Sequence, residues 1–74
     1  MARPVDDEWT KEVVIAFAHN NMSQAKTARE FLVDHSAIHY QLKKAKKMYG
    51  LDPRKFFDLC KILIQIEKER TNGN

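Results

Sequence analysis

The chain has few residues that form disulfides or interrupt helices, since its 74 residues include one cysteine, two glycines and two prolines. Cys60 alone cannot form an internal disulfide, and small secreted domains normally depend on several, so a reducing cytoplasm fits better. No apolar run approaches the ~18 residues of a membrane span. The acidic, polar segment Met1–Trp9 does not resemble a signal peptide. These absences predict a cytoplasmic protein with no membrane partner.

A chain of this length is expected to hold one domain, residues 1–74, with a small core. A domain near this size buries only about 60% of the surface that its unfolded chain exposes. Dimerisation would therefore add useful burial, and a deep catalytic cavity is hard to build. The sequence also lacks a convergent set of acid, base and nucleophile. We expect a protein that is not an enzyme; whether it is complete or a domain of a longer regulator stays open.

The charges are unevenly distributed along the chain, although the net charge is only +3. Residues 1–34 contain four basic and six acidic residues, and residues 56–74 contain three of each. Between them, residues 35–55 contain six basic residues and Asp52 as the single acid. A block of one sign indicates an acidic partner, and nucleic acid is the commonest such partner.

The apolar pattern is helical throughout and predicts an all-α fold of four helices. The first helix is expected over about Asp7–His19, and the second over about Gln24–Phe31 with Ser23 as its N-cap. Leu32 and Val33 are too apolar for an ordinary loop and predict a tight turn whose side chains point into the core. The core residues expected from these two helices are Trp9, Val13, Phe17, Ala25, Ala28 and Phe31.

The third helix is expected over about His35–Tyr49, with Asp34 as the N-cap candidate and Gly50 just past its end. The fourth is expected over about Pro53–Glu69, because Asp52 can cap a helix and proline suits its first turn. The core residues expected from the third helix are Ile38, Leu42, Ala45 and Met48 or Tyr49, and Phe56, Phe57 and Cys60 of the fourth are also interpreted as core. The other apolar residues of the fourth helix are Leu59, Ile62, Leu63, Ile64 and Ile66. A fourth helix that is apolar on most sides is typical of a central core helix or of a dimer interface.

The stretch over about residues 23–49 has the layout of a helix-turn-helix. A short helix with a small residue, Ala28, near its middle is followed by a three-residue turn and a longer helix. Val33 and Ile38 would fill the angle between the two helices. In this motif the second helix lies in the major groove of DNA and presents its N-terminal residues to base edges.

Three segments carry a more specific resemblance: SQAKTAREFLV at 23–33, IHYQL at 38–42 and GLDPR at 50–54. They resemble the C-terminal helix-turn-helix domain of the bacterial purine-catabolism and sugar-diacid regulators, the PucR/CdaR type. They are more distantly similar to the Fis-like domains. The resemblance implies a DNA-binding module of a transcription regulator, often dimeric, and it implies no ligand or cofactor.

The chain departs from that family at the start of the third helix and within it. The family usually has His-Arg-Asn-Thr where residues 34–37 read Asp-His-Ser-Ala, and it often has an arginine where this chain has Gln41. Weaker donors thus replace two arginines, and Asp34 adds a negative charge near the groove. The base preference of the family is therefore not carried over.

The side chains expected to read base edges open the third helix. His35 and Ser36 come first and His39 follows one turn later, opposite the apolar face, so we expect them to hydrogen-bond bases in the groove. Exposed polar residues without a function would show the same pattern.

Contacts to the DNA backbone are expected from the lysines of the same helix, since such contacts supply affinity and salt dependence. Cations near the end of a helix are also favoured by its dipole, which is the structural alternative. Thr27 is expected at the phosphate backbone, and Tyr40 either reaches a phosphate or packs on the first helix. The full set of expected DNA-binding residues is Ser23, Thr27, His35, Ser36, His39, Tyr40, Lys43, Lys44, Lys46 and Lys47.

Other reactive residues are interpreted as structural. His35 and His39 have the i, i+4 spacing of metal ligands, but a zinc site needs three or four ligands, so we expect no metal. Cys60, even with His19 as a base, lacks a third group and an oxyanion element, and is interpreted as a small core residue. The aromatic residues recur with aliphatic ones at helical spacing, which favours a core over a stacking platform for single strands.

The leading interpretation is a module that binds double-stranded DNA in transcription control, with the third helix in the major groove. The alternative is a protein-interaction or dimerisation module of the same fold that does not bind DNA. A homodimer through the fourth helix is compatible with both.

Overall fold

The computed structural model describes residues 4–72, with the side chains of residues 7–70. Four helices follow one another: α1 Pro4–His19, α2 Gln24–Phe31, α3 His35–Tyr49 and α4 Phe56–Asn72. No strand occurs between residues 4 and 72. The predicted all-α fold of four helices is confirmed. Over the same part of the chain, no helix has the length and apolar character needed to cross a bilayer.

The core forms around α1, which packs against each of the other three helices, while α2 also packs against α3. Trp9 and Phe31 are half-buried at its edge, with ring centroids 6.1 Å apart in an edge-to-face arrangement. Such a pair stabilises the contact of α1 with α2 beyond the area that it buries. The buried apolar residues are Val13, Val14, Ala16, Phe17, Ala28, Ile38, Leu42, Ala45, Leu59, Ile62 and Ile66.

Three polar residues share this core, and none of them was predicted there. Thr10 and Thr27 are fully buried and Gln41 is 6% exposed. Their polar groups are satisfied internally: Thr10 donates a hydrogen bond to the side-chain oxygen of Gln41, and Thr27 donates to the backbone carbonyl of Ser23 at 2.7 Å. On α2, Thr27 takes the buried place that was predicted for Ala25, which is exposed.

The connection between α2 and α3 explains why Leu32 is not in the core. The Val33 N–H donates to the Ala28 carbonyl at 3.0 Å, and the Leu32 N–H donates to the Arg29 carbonyl at 3.2 Å. These are the two hydrogen bonds of a Schellman turn, in which the residue after the helix is left-handed. Leu32 has a φ of 58°. The turn directs Val33 against the core and leaves Leu32 90% exposed, so the prediction was right for Val33 and wrong for Leu32.

α2 and α3 begin and end at the predicted residues. The Ser23 hydroxyl accepts the Lys26 N–H at 3.2 Å, as expected for an N-cap. Asp34 occupies the N-cap position of α3 with extended backbone, but its side chain makes no capping hydrogen bond. Gly50 ends α3 with a φ of 69°, a left-handed conformation that glycine adopts without strain. Near this end Tyr49 is half-buried and Met48 is exposed.

α4 begins at Phe56 and not at Pro53. The Asp52 carboxylate accepts the Arg54 N–H at 3.0 Å, and the Lys55 N–H bonds to the Asp52 carbonyl at 3.0 Å. Asp52 therefore closes a separate turn before the helix, with Pro53 buried inside it.

α4 is buried on one side only, along Leu59, Ile62 and Ile66. Phe56 and Phe57 were predicted in the core, and this prediction was wrong, because no other described element covers them. Ile64, for which core and dimer interface were both left open, is exposed as well. The exposed fractions are 59% for Phe56, 76% for Phe57 and 58% for Ile64.

Candidate nucleic-acid interface

One face of α3 carries most of the residues predicted to contact DNA. The helix buries Ile38, Leu42 and Ala45, and a rotation of about 100° per residue puts the opposite side in solvent. Polar hydrogen-bonding groups occupy the N-terminal half of that side and cations occupy the C-terminal half. The exposed residues are His35, Ser36, His39, Tyr40, Lys43, Lys46 and Lys47.

The N-terminal half of this face offers hydrogen-bonding side chains that are not used within the protein. The side chains of His35, Ser36 and His39 make no hydrogen bond to another residue of the described part of the chain. Imidazole and hydroxyl groups can both donate and accept. Asp34 is exposed beside them and brings one negative charge. Among residues 7–70, no group of three or more histidine, cysteine, aspartate or glutamate residues is arranged to hold a metal ion.

The lysines of the C-terminal half fall into two kinds. Among the described residues, no carboxylate lies within 4.0 Å of the amines of Lys43, Lys46 or Lys47. Lys44 differs, because its side chain is 27% exposed and its amine lies 3.3 Å from the Asp7 carboxylate on α1. Three of the four lysines are therefore available to an external anion, and the fourth is shared with α1.

A shallow cavity of about 210 Å³ lies among these lysines, lined by Tyr40, Lys43, Lys44 and Lys47. The side chains of these residues end in amines and a phenol hydroxyl, which are groups that donate hydrogen bonds to phosphate oxygens. Tyr40 is 63% exposed. Tyr40 was expected either to reach a phosphate or to pack on the first helix, and its exposure agrees with the first of these two positions.

Asp52 is the one acid in the basic block of residues 35–55. The backbone N–H of Arg54 and then the charges of Arg54 and Lys46 hold the pKa of the Asp52 carboxyl below its usual value, against the effect of partial burial. The Arg54 side chain also lies 3.5 Å from this carboxylate. Asp52 thus neutralises Arg54 at the edge of the basic face, while Lys55 stays exposed.

Thr27 does not belong to this surface. Its side chain is fully buried, and its hydroxyl donates to the Ser23 carbonyl and accepts from the Asn20 amide at 3.4 Å. A hydroxyl enclosed in this way cannot reach a phosphate, so the predicted backbone contact was wrong. The Ser23 hydroxyl is occupied as the N-cap of α2.

The position of Gln41 changes the meaning of the departure from the regulator family. Its side chain points into the core and accepts a hydrogen bond from Thr10. The glutamine therefore takes no donor away from the exposed face of this chain. The exposed residues closest to Gln41 in the sequence are His39, Tyr40 and Lys43.

Sequence reasoning missed Asp7 as a partner of this face. Asp7 was interpreted only as negative charge favoured at the N-terminus of the first helix. Its contact with Lys44 joins residues that lie far apart in the chain, and no local pattern signals it. The contact depends on the packing of α1 against α3.

Comparisons with protein-family models, with curated proteins and with solved structures gave no match. The resemblance to the PucR/CdaR-type domains therefore stays a prediction based on residues 23–33, 38–42 and 50–54.

Proposed function

We propose that the protein binds double-stranded DNA through the exposed face of α3. The observation that carries this proposal is the set of three exposed lysines, Lys43, Lys46 and Lys47, none of which has a carboxylate within 4.0 Å of its amine among the described residues. α3 contains no acidic residue at all. A solvated helix face with no role in binding usually mixes its charges, whereas DNA presents one phosphate charge about every 1.7 Å along its axis.

In this proposal α2, the turn at residues 32–34 and α3 act as a helix-turn-helix. A helix with its side chains is about 10–12 Å across, and the major groove is about 12 Å wide. With α3 in the groove, His35, Ser36 and His39 meet base edges. The lysines further along α3, with Lys55 beyond it, hold the flanking phosphates. The protein would act in transcription control in the cytoplasm.

Charge reversal on α3 tests the proposal. The variant Lys46→Glu with Lys47→Glu should weaken binding to a mixed-sequence duplex by roughly tenfold or more, because two phosphate contacts become repulsions. The matched control is Lys61→Glu with Lys68→Glu, which makes the same change in net charge at exposed positions of α4. Fluorescence anisotropy measures the affinities, and circular dichroism checks that both variants keep their helices.

The expected result is a strong loss for the α3 variant and a small loss for the α4 variant. Equal losses would mean that net charge alone drives the association and would contradict a binding face on α3. No binding by the unmodified protein, even at low salt, would favour the second candidate function, a protein-interaction module. The exposed Phe56, Phe57 and Ile64 on α4 are the observation that favours this candidate.

A further inference from the structure

A row of apolar side chains on α4 remains in solvent. Phe57, Phe56 and Ile64 are its most exposed members, at 76%, 59% and 58%, and Cys60 and Leu63 are half-buried beside them. At about 100° per residue these five residues span roughly a third of the helix circumference, next to the buried side. We call them the apolar stripe. Large apolar side chains grouped in this way mark a surface that binds another apolar surface.

The apolar stripe is symmetric about Cys60. Phe56 and Phe57 precede Cys60 by four and three residues, and Leu63 and Ile64 follow it by three and four. A two-fold axis that relates antiparallel helices pairs each residue before its centre with the residue equally far after it. An antiparallel second α4 would then place Phe56 opposite Ile64 of the second copy, and Phe57 opposite Leu63 of the second copy.

A groove beside the stripe provides space for the most exposed ring. It has a volume of about 260 Å³ and is lined mainly by apolar side chains of α1, α4 and the residues after α1, among them Ala18, Met22, Cys60 and Leu63. Leu63 is the residue that the pairing places opposite Phe57 of the second copy. That ring can therefore enter the groove and bury the largest remaining apolar area of the stripe.

The charges at the two ends of the stripe are also complementary in this arrangement. Glu67 is exposed one turn beyond Leu63, and Arg54 and Lys55 are exposed just before α4. Antiparallel pairing brings Glu67 of each copy towards the exposed Lys55 of the other and towards the positive end of its α4 dipole, while Arg54 is already paired with Asp52. The attraction occurs twice in a two-fold dimer, whereas parallel pairing would place like charges together.

We infer that the apolar stripe is the interface of a homodimer in which the α4 helices of two copies pack antiparallel, with Cys60 beside the two-fold axis. This interface is separate from the exposed face of α3 and does not depend on DNA binding. It accounts for the large apolar side chains of α4 that the fold of one chain leaves uncovered.

The test measures the mass of the full chain by sedimentation equilibrium over about 1–100 µM, a range suited to a micromolar dissociation constant. The chain is expected to form a dimer within this range. Phe57→Ser should shift it to a monomer. Because Phe57 is exposed, the substitution should not unfold the protein. Leu32→Ser is the matched control, because Leu32 is a highly exposed large apolar residue that lies outside the stripe; it should leave the dimer unchanged.

Cross-linking at Cys60 tests the position of the axis. Diamide takes up two electrons and two protons as two thiols form one disulfide, so it should link two copies when their Cys60 residues lie within about 7 Å, Cα to Cα. Rapid linkage in the unmodified protein and slow linkage in Phe57→Ser are expected. A monomer throughout the concentration range would overturn the inference. So would a dimer that survives Phe57→Ser and does not cross-link at Cys60.

Discussion

Thr10 on α1 and Gln41 on α3 form a hydrogen bond inside the core, with the threonine hydroxyl as donor and the glutamine side-chain oxygen as acceptor. Thr10 is fully buried and Gln41 is 6% exposed. The bond joins α3, which carries the proposed DNA-binding face, to the helix at the centre of the fold. A buried polar group that loses its partner costs more free energy than the hydrogen bond itself contributes.

Removing one member of this pair should therefore lower the free energy of unfolding more than removing both. Thr10→Val should lower the free energy of unfolding by about 1–3 kcal/mol, because the side-chain oxygen of Gln41 loses its donor. Adding Gln41→Leu should recover part of that loss. Urea denaturation of the two single variants and the double variant gives the coupling energy. If the losses of the single variants simply add, the pair is not coupled in the way described.

The buried hydroxyl of Thr27 should matter for stability and not for DNA binding. Thr27→Val removes a hydrogen bond to the Ser23 carbonyl without changing the volume, at a cost of about 1 kcal/mol in unfolding free energy. The affinity of the folded protein for DNA should stay the same. His39→Ala, at an exposed position of α3, should do the reverse. Urea denaturation gives the stability of both variants, and anisotropy gives their affinity for DNA. A loss of DNA affinity in Thr27→Val would indicate that Thr27 contacts phosphate.

The ion pair of Lys44 with Asp7 should oppose DNA binding, because the Lys44 amine lies 3.3 Å from that carboxylate and must choose between it and a phosphate. Asp7→Asn should therefore tighten binding to duplex DNA several-fold. Glu12→Gln on the same helix makes an equal change in net charge without touching Lys44 and serves as the control. Equal gains from the two variants would assign the effect to net charge and argue against competition at Lys44.

The phenol of Tyr49 should make the fold sensitive to alkaline pH. Burial, and then the negative charge of Glu69 whose carboxylate accepts its hydrogen bond at 3.3 Å, raise the pKa of Tyr49 from 10.0 to about 12. A pKa raised by folding means that the neutral form is favoured in the folded state. Its contribution to stability is complete below pH 10.0 and is lost as the pH rises towards about 12.

Tyr49→Phe isolates this effect. The variant should show a shallower loss of unfolding free energy over that alkaline range than the unmodified protein, since other groups that titrate there are common to both. Urea denaturation at a series of pH values provides the measurement. Parallel curves for the two proteins would show that Tyr49 titrates alike in the folded and unfolded states.

The sequence was sufficient for the number of helices and for the bounds of α2 and α3, but not for the start of α4 or for the burial of several side chains. Ser23 and Gly50 mark the limits of α2 and α3 by local backbone chemistry, so those bounds were predictable. Thr10, Thr27 and Gln41 occupy buried positions in the helical register, but their polarity suggested the surface. Their hydrogen-bond partners lie in other turns or other helices and only become known from the packing.

The exposed apolar residues were missed for the opposite reason. Phe56 and Phe57 are apolar at helical spacing, and Leu32 is apolar in a turn, and both patterns predict burial in a single chain. Leu32 is exposed because the turn after α2 rotates it outwards, and the two phenylalanines are exposed because α1 covers one side of α4 only. The predicted lysine face of α3 agrees with the observed exposure because its lysines fill the side opposite Ile38, Leu42 and Ala45.

The salt dependence of DNA binding tests the proposed function most directly. Anisotropy of a labelled duplex would be measured with the unmodified protein at several salt concentrations. Each phosphate contact should lower log K by roughly 0.9 for each log unit of salt, so Lys43, Lys46 and Lys47 together predict a slope of about −3 or steeper. A measurable affinity with that slope is the result that a DNA-binding α3 predicts. Absence of binding at the lowest salt concentration would contradict it.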